Sequence, residues 1–158
     1  MIKLLEKIQM TIGVLFLSIF FIAIIIQIVT RHMGISVIWT EEVANYSFIW
    51  SVFMGASVML NRREHFSFDF LLQKLQGASR ATLLVVIDVI VLLFAVALFY
   101  YGLEAVKQFW HYNWTSLPSM KMGYVWISLP ITGLTMAIYT LHHLIGDAKA
   151  LKGKGVKA

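Results

Sequence analysis

Charges are placed so that four long apolar runs stand clear of them. The first, residues 11–30, carries no charge at all. A hydrocarbon core about 30 Å thick is crossed by about 20 apolar helical residues, so this run predicts a membrane span. Lys3 and Lys7 precede it, but the run is too long for a cleaved signal segment and no small-x-small site follows, which predicts a retained anchor. Similar runs predict spans over 41–60, 81–101 and 124–144. The fourth contains Pro130; neighbouring helices re-satisfy a freed carbonyl in a membrane, so a kink is expected rather than a stop. Between the second and third runs, Phe68, Leu71, Leu72 and Leu75 fall at i, i+3, i+4 and i+7 within residues 66–76. That piece is too short to span and predicts an amphipathic helix lying flat in the headgroup layer. A short strand competes there, because Phe66, Phe68 and Phe70 alternate with Ser67 and Asp69. The expected fold class is an all-α membrane protein, with four transmembrane helices plus the interfacial helix, forming one integral membrane domain over residues 1–158.

Composition agrees. Hydrophobic residues make up 59% and charged residues 13% of the chain, against about 25% charged in soluble domains. An ordinary soluble enzyme and a disordered chain are both excluded on that ground. The chain has no cysteine, which removes disulfides, thiolate metal sites and cysteine nucleophiles. The thirteen Lys and Arg residues divide ten against three between the two sides that four spans define. The rich side holds the N-terminus, the 62–80 connection and the tail, so both ends are expected in the cytoplasm. Trp39, Trp110, Trp114 and Trp126 fall near the other boundary. The segment 149–158 reads as a flexible basic tail.

Few residues offer chemistry. Asp88 is expected about 10 Å inside the third span, where an acid is costly and marks either a buried partner or a proton or ion site. Thr40 is a plausible N-cap of the second span, with Glu41 and Glu42 in its first turn. Adjacent helical acids point about 100° apart and do not make a carboxylate pair for catalysis. None of the five histidines lies deep in a span or in an H-x-x-x-H pattern, so no metal or haem is expected. Ser47, Ser51 and Gly55 repeat every four residues, as do Gly133 and Ala137. Such small residues serve close helix approach, inside the chain or at a subunit seam. Nucleotide-binding and hydrolase motifs do not appear. The residues leave open an autonomous proton-coupled transporter built on Asp88 and a membrane anchor of a redox complex.

The run Trp39-Thr40-Glu41-Glu42, then Phe48-Ile49-Trp50, Gly55-Ala56 and Arg62-Arg63-Glu64-His65, with Asp69 beyond it, resembles the small membrane subunit (Q-type, DctQ-like) of tripartite ATP-independent periplasmic (TRAP) transporters. Leu129-Pro130 and the four-span plan fit the same family. One departure is Asn45-Tyr46, where relatives often have Arg-Tyr, which puts an ion pair from position 45 in doubt. The resemblance implies a noncatalytic small permease subunit in the bacterial inner membrane. Its partners would be a large (M-type) membrane subunit, a periplasmic substrate-binding protein and membrane phospholipids. The large subunit would translocate an organic acid, of sialic-acid or C4-dicarboxylate type, on a sodium gradient and hold the sodium itself, so no cofactor is expected on this chain. The overall look is similar to sialic-acid systems. On this reading Trp39, Glu41, Glu42, Ser47, Trp50, Ser51, Gly55, Arg62, Arg63, His65, Asp69 and Asp88 are candidates for subunit contact. Phe68, Leu71, Leu72 and Leu75 anchor the interfacial helix, which would help hold an elevator-type carrier's static part at fixed depth. The aromatic periplasmic connection, 102–123, is available to the docked binding protein.

Overall fold

A computed structural model describes residues 2–64 and 78–155, with side chains for 2–64 and 79–149. The interfacial segment 66–76, with Phe68, Leu71, Leu72 and Leu75, and also His65 and Asp69, lie outside the described residues. Among the described residues the elements are helices: α1 (Ile2–His32), α2 (Trp39–Asn61), α3 (Ala78–Phe109), the short α4 (Gly123–Trp126) and α5 (Ser128–Gly155). Four stretches are long and apolar enough to cross a membrane, the fourth running through α4 into α5. At 1.5 Å per residue, the 32 residues of α3 exceed a hydrocarbon core, so its ends project beyond the apolar layer.

Proline and glycine set the breaks. Pro130 sits in the first turn of α5, where its missing N–H removes a bond to Trp126. The α conformation nevertheless continues through Ile127, whose N–H bonds the Gly123 carbonyl while its own carbonyl takes the Ile131 N–H. The fourth span therefore continues past this point without stopping. α1 ends with Gly34 at φ +74°, the Ile35 N–H reaching back to the Thr30 carbonyl, a glycine-closed helix end.

Two expectations are corrected. Thr40 does not cap α2: the helix starts at Trp39 after Ile38, and the Thr40 hydroxyl donates backward to the Val37 carbonyl at 2.8 Å. A hydroxyl committed as donor to the preceding turn is not positioned to accept the first-turn N–H groups. The tail is helical as far as Gly155. Ala148, Lys149, Ala150, Leu151 and Lys152 are strong helix formers and extend the turn that the span has already nucleated.

α1 packs on α2, α2 on α5, and α5 on α3. The helices thus form a row ordered α1, α2, α5, α3, with the first and third in sequence outermost. Only 11% of the apolar window is buried in each outer helix, against 50% in the fourth span. The α3 seam is narrow: Ala81, Asp88, Ala95 and Gly102, spaced by seven, are its buried line, the periodicity of a left-handed helix pair. Approach is closest where side chains vanish. A Cβ on Gly133 would stand 2.5 Å from the Phe99 nitrogen, and one on Gly102 would stand 2.8 Å from the Pro130 nitrogen. On the other side of the row, Gly13 lets α1 lie against Met54 and Ser51 of α2.

Candidate functional site

Polar side chains gather at three levels, and at each one they join separate helices. At the end predicted to face the cytoplasm, the Glu6 carboxylate on α1 accepts from Asn61 Nδ2 and from Arg62 Nε, both at 2.7 Å. Arg63 lies just past α2 and reaches Asp88 of α3 at 3.3 Å and Asp147 of α5 at 2.5 Å. One guanidinium therefore ties three helices. Its backbone is unusual: φ is +59°, and the Arg63 and Glu64 N–H groups bond the Leu60 and Met59 carbonyls. That is a Schellman helix end, whose left-handed position normally takes glycine. A side chain there costs about 1 kcal/mol or more of backbone preference, and here the ion pairs offset it. Asp88 is thus bound by an arginine of its own chain. It lies within one arginine's reach of the α2 terminus.

Further in lies a buried network that no sequence motif announces. Gln9 Nε2 donates to Thr135 Oγ1 at 2.9 Å, and the Tyr139 hydroxyl donates to Gln9 Oε1 at 2.6 Å. Thr135 also lies 3.3 Å from Ser57 Oγ. These bonds bring α1, α2 and α5 together among buried side chains, where unpaired polar groups are expensive. The detectable signal was an amide within an otherwise apolar helical face, with Gly13 one turn further on.

At the opposite end, the Glu42 carboxylate accepts the backbone N–H groups of Thr115 and Ser116, each at 2.8 Å. Trp50 Nε1 donates to the Tyr124 carbonyl at 3.0 Å and the ring stacks on Phe16. Tyr46 packs on Trp114 and Phe109 stacks on Trp126. Lys121 lies 5.5 Å over the Trp110 ring. Glu42 and Trp50 therefore hold the aromatic connection onto the start of α2. Trp39 and Glu41 instead face outward. Ser47 is buried, Ser51 lies beside Gly13, and Gly55 has open space where a Cβ would stand.

Most of the side-chain contacts just described join separate elements of this chain, and among the described residues no three His, Asp or Glu side chains converge as metal ligands would. The family model "Tripartite ATP-independent periplasmic transporters, DctQ component" matches residues 11–150. The chain belongs to that family. It is 27% identical over 142 residues, 84% of its length, to the isethionate TRAP transporter permease protein DctMQ of Oleidesulfovibrio alaskensis. It spans only 22% of that longer relative. A Haemophilus influenzae protein with the provisional name TRAP transporter small permease protein is 27% identical, with 82% of this chain and 80% of the relative covered. The sialic acid TRAP transporter small permease protein SiaQ of Vibrio cholerae is 25% identical, with 73% and 66% covered. The DctQ component described here is therefore a multi-pass membrane subunit of a transporter family.

Proposed function

We propose that this chain is the stationary small permease subunit of a TRAP transporter, bracing a large elevator-type subunit that carries an organic anion. The observation that carries this is the bonding pattern: Glu6, Gln9, Arg63 and Tyr139 each bond side chains of another helix and tie the helices to one another. A frame must resist deformation while its partner moves, and interhelical bonds among α1, α2, α3 and α5 serve that. Family membership brings the partner classes, a large membrane subunit and a periplasmic binding protein. Relatives named for isethionate and sialic acid support a small organic anion as cargo. On this reading sodium and substrate are held by the large subunit.

The docking face we assign is the outward stripe of α2: Glu41, Asn45, Phe48, Val52, Gly55 and Met59. It is apolar in its middle, polar at one end, and open at Gly55, so a partner helix can approach closely there. Uptake of a labelled organic acid into proteoliposomes tests the reading. Binding protein, large subunit and this chain together are expected to transport, and omission of this chain is expected to abolish or strongly reduce uptake. Transport by this chain alone would overturn it.

A further inference from the structure

Between the start of α1 and the end of α2 lies a cavity of about 430 Å³ lined by Lys3, Glu6, Lys7, Met10, Thr11 and Arg62. Lys3 and Lys7 are one turn apart on the same face of α1. Both are exposed, and neither forms an ion pair among the described residues. Arg62 uses Nε for Glu6 and keeps its terminal nitrogens for another acceptor. The single carboxylate is thus engaged by Arg62 and Asn61, and the cavity keeps a net positive charge from two ammonium groups.

Depth identifies the occupant. Lys7 stands four residues, about 6 Å along the helix, before Thr11, where the uncharged run begins. A headgroup layer is about 5–7 Å deep on each side of the hydrocarbon, so the ammonium groups lie at phosphate level. Leu4 and Ile8, on an adjoining side of the same turns, are 64% and 48% exposed, and Leu15 extends that apolar track toward the hydrocarbon. The geometry points to a site for an anionic phospholipid, its phosphodiester held by Lys3, Lys7 and Arg62 and its acyl chains along Leu4, Ile8 and Leu15. A soluble phosphate would use the cations and leave the apolar track idle. This site stands apart from the assembly reading, since it lies on α1 and the α2 terminus and not on the outward stripe of α2.

Native mass spectrometry of the full chain in detergent, titrated with phosphatidylglycerol or with phosphatidylcholine of the same acyl chains, tests it. Phosphatidylglycerol is expected to be retained in preference. Lys3→Gln with Lys7→Gln should weaken it about 25-fold, at roughly fivefold per cation at a lipid surface, with phosphatidylcholine unaffected. Glu6→Gln should tighten it, a gain that mere structural damage does not produce. The charge-matched pair Arg80→Gln and Lys149→Gln should leave binding unchanged. An equal loss in that control pair would show diffuse attraction to a basic surface and overturn the site. Equal retention of phosphatidylcholine, or displacement by inorganic phosphate, would overturn it too.

Discussion

Arg63 shows how a single residue carries two opposing costs. Its backbone asks for glycine, while its side chain bonds two carboxylates on two other helices. Removing the guanidinium with Arg63→Ala keeps the backbone strain and leaves Asp88 and Asp147 facing each other unneutralised. We expect a loss of about 1–3 kcal/mol, below the figure for a fully buried pair because the arginine is partly solvated. Asp88→Asn should cost less, since Arg63 keeps Asp147. The double variant should be more stable than the sum of the single losses predicts, because the unneutralised acid is gone. Thermal unfolding in detergent measures all three, and strict additivity would refute the coupling. Glu42 makes a second case. With Glu42→Ala the amides of Thr115 and Ser116 lose their acceptor, and their hydrogen exchange should accelerate by about tenfold, the equivalent of a modest charged hydrogen bond. Unchanged protection would mean the connection is held by its aromatic contacts alone.

At the scale of elements, two glycines of the inner helices should respond with opposite sign. Gly133→Ala places a Cβ against the Phe99 backbone, which cannot yield as a flexible side chain can. The α3–α5 pair must part, at a cost of about 1–3 kcal/mol. Gly55→Ala meets nothing within 4 Å and should stabilise the isolated chain by about 0.5–1 kcal/mol through helix propensity. Equal effects in denaturation of the two variants would contradict the packing described. The spans were legible in the sequence because hydrocarbon thickness imposes a length and forbids charge. In the sequence Gly133 is compatible with internal packing and with a subunit seam alike, since a small residue only permits approach; the backbone that approaches belongs to a distant segment. The seven-residue line Ala81, Asp88, Ala95, Gly102 was present in the sequence but is hidden by its surroundings: in an all-apolar helix, small residues mark the seam only once lipid-facing positions are known.

For the whole molecule, the unburied apolar surface decides what a partner can use. α1 and α3 are outermost, and Phe21, Ile25 and Ile28 on α1 are more than half exposed. That surface is apolar apart from Ser18, whose hydroxyl turns back to the Val14 carbonyl, as suits a lipid-facing surface. The α2 stripe differs in carrying Glu41, Asn45 and an open glycine position. The charge count gives an expected orientation, but no periodicity reports which helix is inner, since the order α1, α2, α5, α3 depends on long-range approaches such as Gly133 to Phe99. If the large subunit docks on α2, filling that stripe should hinder assembly while enlarging the α1 surface should not. Val52→Trp or Gly55→Leu is therefore expected to lower co-purification of the large subunit with the tagged chain several-fold, with the yield of the chain itself unchanged. Ile25→Trp, on α1, should leave recovery as in the parent. The reverse pattern would move the docking face to α1, and loss with all three variants would place the partner across both helices.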